Sequence, residues 1–138
     1  MELKDIAELL ITMTGKVEFY WDFFTIMVLA LIGWVVSTNK VFTRRLKFLI
    51  AVGYLIFAFM NLLGLWSSYS FAEALRLDLL SVAQTTPDTL KNTQVVLSQW
   101  SFGSQKIFAI FIHFILAILV LSVVWSGRFS IPRENKAE

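Results

Sequence analysis

Apolar positions in this chain fall into three long, nearly unbroken runs, and charged positions cluster between them. The last run, residues 107–125, reads IFAIFIHFILAILVLSVVW, without proline, glycine or a formal charge. A bilayer's hydrocarbon core is roughly 30 Å thick, so a helix rising about 1.5 Å per residue needs about 20 apolar residues to cross it. Two further runs have that length. The pattern therefore predicts an all-α integral membrane protein with three transmembrane helices at residues 16–38, 48–66 and 107–126. The first run is longer than a signal-peptide core and follows an acidic, not a basic, segment, so it is expected to be retained.

The connections carry patterns of their own. In residues 1–15, Leu3, Ile6, Leu10 and Met13 recur at helical spacing, predicting an amphipathic helix on the outer membrane surface that ends at Gly15. Residues 39–47 form a short basic loop. Residues 67–106 are too long to be structureless and are expected to hold short interfacial helices on the outer side. Ser70 with Glu73 has the spacing of a capping box, and Thr86-Pro87-Asp88 that of an N-cap followed by proline. Residues 127–138 make a charged tail.

Charge then sets an expected orientation. Lys40, Arg44, Arg45 and Lys47, together with Arg128, Arg133 and Lys136, lie on one side of a three-span chain. The other side holds Lys4, Lys16, Arg76, Lys91 and Lys106, diluted by acids. The positive-inside rule puts the N-terminus outside and the C-terminus in the cytoplasm of a bacterial inner or plasma membrane. Tryptophans at 21, 66 and 100, and at 34 and 125, mark the two headgroup levels. Apolar residues make up 57% and charged residues 16%, leaving no segment for a soluble catalytic domain. A net charge of +2 gives no basis for nucleic-acid binding, and cysteine is absent.

Candidate chemistry is confined to a few polar side chains inside the spans. By helix rise, Asp22, Asn61 and His113 each lie about 9–10 Å inside the outer end of their span. Glu18, Asp22, Thr25, Leu29, Gly33 and Ser37 trace one stripe of the first helix; Tyr54, Phe57, Asn61, Gly64 and Ser68 do so in the second. Ala109, His113 and Ala117 share a face of the third. Small residues let membrane helices approach closely. The expectation is a bundle whose stripes converge, joining Asp22, Asn61 and His113, with Glu18 and Tyr54 nearby. Such a cluster acts as interhelical glue, as an Asp22–His113 proton pair, or as a ligand contact. A single histidine without cysteine builds no multi-histidine metal site in one chain, leaving only a meeting of His113 with its copy across a dimer; no cofactor is implied and no catalytic motif is present, so the chain is not expected to be an enzyme.

The functional expectation is a small accessory or structural subunit, partnered by lipid and by itself or a larger membrane complex. The alternative is a homo-oligomeric pore or proton pathway lined by Asp22, Asn61 and His113. Three spans, an external N-terminus and a charged cytoplasmic tail resemble the layout of phage class I holins. That resemblance is one of topology alone, and it implies the pore.

Overall fold

The computed structural model describes residues 3–38, 42–85 and 87–126, which form four helices: α1 (Leu3–Ser37), α2 (Arg44–Thr85), α3 (Pro87–Gln99) and α4 (Phe102–Ser126). Three helices are long and apolar enough to cross a membrane. Their outer surface is as apolar as their interior. Phe19, Ile26, Phe59, Phe108, Phe111 and Phe114 are all at least 60% exposed. Lipid is the solvent in which that surface costs nothing.

α2 is the central rod, packed against each of the other three helices. At one end of the bundle Phe24 and Val28 of α1 meet Tyr54 and Ala58 of α2 and Val120 and Val124 of α4. Val17, Leu65, Tyr69, Ala72, Phe102 and Ala109 form the next layer. Beyond it, Ile6 packs with Leu75 and Leu79, flanked by Leu9, Leu10 and Met13.

That last layer changes two sequence expectations. Of the amphipathic segment at residues 1–15, residues 3–15 are the opening of α1, continuous with the span, and Ile6, Leu10 and Met13 pack toward Leu75 and Leu79 of α2. Glycine inside a helix costs only about 1 kcal/mol relative to alanine, and those contacts hold the segment in line. Gly15 therefore does not end the helix. Likewise α2 runs past residue 66 to Thr85 without a new start at Ser70. The Ser70 hydroxyl donates back to the Trp66 carbonyl at 2.7 Å, as serines within helices do. Glu73 caps a helix, but a different one. Its Oε2 accepts the Phe102 backbone N–H at 3.0 Å, at the start of α4.

α3 begins at Pro87 and folds back along α2; Thr86, its expected N-cap, lies outside the described residues. At the first turn of α4, Ser101 Oγ accepts the Gly103 N–H at 3.1 Å. At the far end of α4, Lys47 Nζ of α2 donates to the Trp125 carbonyl at 3.1 Å. It satisfies one of the acceptors that a helix C-terminus leaves open. The expected loop at residues 39–47 is shorter than its basic run, since Arg44, Arg45 and Lys47 form the first turn of α2; Lys40 and the tail's Arg128, Arg133 and Lys136 lie outside the described residues.

Candidate functional site

Two polar features stand out, one inside the bundle and one outside it. The inner one starts from Asn61 on α2 and His113 on α4, each only 4% exposed. His113 Nε2 lies 3.1 Å from Asn61 Oδ1. Asn61 Nδ2 donates to the Tyr20 carbonyl of α1 at 3.0 Å. One amide thus ties all three spans together. Close helix approach makes this reach possible. A Cβ on Gly64 would sit 2.5 Å from the Tyr20 ring, so only glycine leaves that ring its place.

The Asn61 amide is oriented by its neighbours, with Nδ2 donating to the Tyr20 carbonyl and Oδ1 left as the acceptor facing His113. His113 Nδ1 lies 2.9 Å from the Ala109 carbonyl of its own helix. Both ring nitrogens are occupied by protein neighbours.

Aromatic side chains close the cavity around the ring. Phe24 is fully buried and stacks on the imidazole, with centroids 3.9 Å apart and planes 16° from parallel. Trp21 tilts against its other edge at 5.4 Å, and its Nε1–H donates to the Tyr69 hydroxyl at 2.9 Å. Phe24, Trp21 and Tyr69 were not among the expected site residues. The phenylalanines flanking His113 in sequence, Phe108, Phe111 and Phe114, point outward instead.

Asp22 and Glu18 do not join this cluster. Both are exposed on α1. At about 100° per residue, Asp22 projects roughly 160° from Phe24. Asp22, Thr25, Leu29 and Gly33 therefore face away from α2 and α4, while Glu18 borders a hollow shared with Arg76 of α2, Leu97 of α3 and Phe102 of α4. The face that packs is the aromatic and aliphatic one through Val17, Trp21, Phe24 and Val28. No Asp22–His113 pair forms, and the three polar residues do not line a common path within one chain. In α2 and α4 the stripes face inward. Tyr54 is buried there too, two turns beyond Asn61, with its hydroxyl unpaired and apart from the His113 pair.

A second charged centre lies beyond the spans. Arg76, 7% exposed, meets Glu73 through two parallel bonds, Nε to Oε2 at 2.9 Å and Nη2 to Oε1 at 2.8 Å. Its Nη1 donates to the Leu97 carbonyl of α3. Hydrogen bonding from Arg76 holds the Glu73 carboxyl below its ordinary range, with the Phe102 amide and the charges of Arg76 and Lys106 adding to the effect. This centre fastens α3 and the start of α4 to α2. The opposite charges three residues apart are visible in the sequence, but not the chain ends they hold.

Among the described residues no three His, Asp or Glu side chains gather at metal-binding distance. No protein-family model matches the sequence, and no curated protein or solved structure matches it either.

Proposed function

We propose that the protein is a small, non-enzymatic integral membrane subunit that docks through the outward stripe of α1, onto a larger membrane complex or a second copy. The observation that carries this reading is the position of Asp22. An exposed carboxylate at the level of Asn61 is costly in hydrocarbon, about 2.5–3.5 kcal/mol on insertion scales near a helix centre. The chain's own polar groups do not relieve that cost. His113 is occupied inside the bundle, and in the spans only Lys16, at the very start of the first, is basic. Small-residue packing supports the same face, since Gly33 has nothing within 4 Å of where a side chain would start.

A foreign helix carrying a basic or hydrogen-bond-donating residue answers Asp22 better than a second copy does, because a copy brings another carboxylate. We place the N-terminus outside and the C-terminus in the cytoplasm, from the distribution of Lys and Arg. The pore reading has less support, since Asp22 is turned away from Asn61 and His113.

Size measurement in mild detergent, after extraction from the native membrane, tests the assignment. The expected particle is heavier than the 15.8 kDa chain, and Asp22→Leu or Gly33→Leu returns it to the monomer. A monomer at every concentration, or an assembly indifferent to both substitutions, contradicts it.

A further inference from the structure

We propose that the end of the bundle where α2 begins and α4 stops is a binding site for one anionic diacyl phospholipid. Its phosphate would sit on Arg44 and Arg45, and its chains would lie on either side of Leu49.

The site consists of two hollows that share a wall. The larger, about 710 Å³, is lined by Arg44, Arg45, Phe48, Leu49 and Trp125. The smaller, about 260 Å³, is apolar and runs between α1 and α2 past Met27, Leu31, Leu49, Gly53 and Phe57. Leu49 borders both. From residue 49 to residue 57 the second hollow extends about 12 Å along α2. That is the direction an acyl chain takes from the headgroup level into the bilayer. Gly53 keeps the floor open, with nothing within 4 Å of where its Cβ would be.

Charge selects the headgroup. Neither arginine takes part in an ion pair among the described residues, and both are exposed. No acid occurs in this end of α1, α2 or α4; the nearest acids in the sequence, Glu134 and Glu138, belong to a tail that also carries Arg128, Arg133 and Lys136. In that segment the three basic residues outnumber the two acidic ones. Lys47 is otherwise engaged, holding the Trp125 carbonyl and with it the indole that closes the larger hollow. Guanidinium groups pair with phosphate bidentately, and basic recesses at the headgroup level of membrane helices select anionic lipids.

Lipid retention by the full-length protein, released from mixed micelles and read by native mass spectrometry, tests the proposal. Phosphatidylglycerol and phosphatidylcholine of equal chain length are offered together. One phosphatidylglycerol should be retained about thirtyfold more than phosphatidylcholine, the preference that two interfacial arginines confer at about 1 kcal/mol each. Arg44→Gln with Arg45→Gln should abolish the preference. Gly53→Leu, which fills the acyl track and leaves both charges, should weaken retention of that lipid. Lys91→Gln, on α3 and away from the start of α2, should change nothing. Equal retention of the two lipids overturns the proposal, as does a preference that survives both the double arginine variant and Gly53→Leu. Full displacement by millimolar glycerol 3-phosphate overturns it in favour of a soluble phosphate ligand. A helical circular-dichroism spectrum matching the parent's confirms that each variant is folded when its retention is read.

Discussion

Glu73→Ala is expected to destabilise the folded chain by about 2–3 kcal/mol, below the range for a fully buried pair because the Glu73 side chain keeps 22% of its surface exposed. Two losses coincide. The guanidinium of Arg76 stays buried without its carboxylate, and the Phe102 N–H at the start of α4 loses its capping acceptor. Replacing both members, as Glu73→Met with Arg76→Met, should recover much of that loss, because no lone charge then remains. Denaturant unfolding in mild detergent, followed by circular dichroism, reads the difference. Acid should act in the same direction as Glu73→Ala. Folding depresses the Glu73 pKa, so its contribution is complete above the unfolded carboxylate's pKa and disappears as pH falls through the lower, folded one. The parent should therefore lose stability below the usual carboxylate range, and the double Met variant should lose less. A Glu73→Ala protein as stable as the parent would contradict the role assigned to this centre.

Phe24→Ala is the second large effect, expected at about 3 kcal/mol, the lower end of the range for truncating a buried aromatic ring. The lower end applies because lipid receives an apolar side chain almost as readily as the bundle interior does. What is lost is contact with the imidazole and the packing against Val120 and Val124, which a cavity does not replace. Phe111→Ala, at 60% exposure, removes the same atoms from a lipid-facing site and should change stability by less than about 0.5 kcal/mol. Unfolding measurements on the two proteins under one condition decide the point. Equal effects would mean that the ring stacked on His113 is not part of the core.

The three spans were legible because length and apolarity alone define a membrane helix. Depth was legible as well. Helix rise placed Asn61 and His113 at a common level, and the structure puts them in hydrogen-bond distance. Facing was legible in two helices of three. In a soluble protein the apolar side of a helix identifies the core, but here lipid and core are equally apolar, so a polar stripe marks only a face in need of a partner. On α2 and α4 that partner is inside the chain. On α1 the stripe through Asp22 and Gly33 does not pack on α2 or α4, because Trp21 and Phe24 supply bulk that Asp22 and Gly33 cannot. Gly15 and Ser70 were misleading for a related reason. Local signals for a helix end or start were overridden by packing between segments far apart in sequence, Ile6 against Leu75 and Leu79. Glu73 shows the same limit, since its cap serves a helix 29 residues away.

The most direct test of the account uses a photo-reactive side chain placed singly along α1 in cells, followed by irradiation of the native membrane. Positions 22, 29 and 33, on the stripe that faces away from α2 and α4, should form protein adducts larger than the chain itself. Position 24, inside the bundle, should react only within the chain. Protein adducts with no periodicity along α1, or lipid adducts alone at 22, 29 and 33, would contradict the claim that this stripe is where the protein docks.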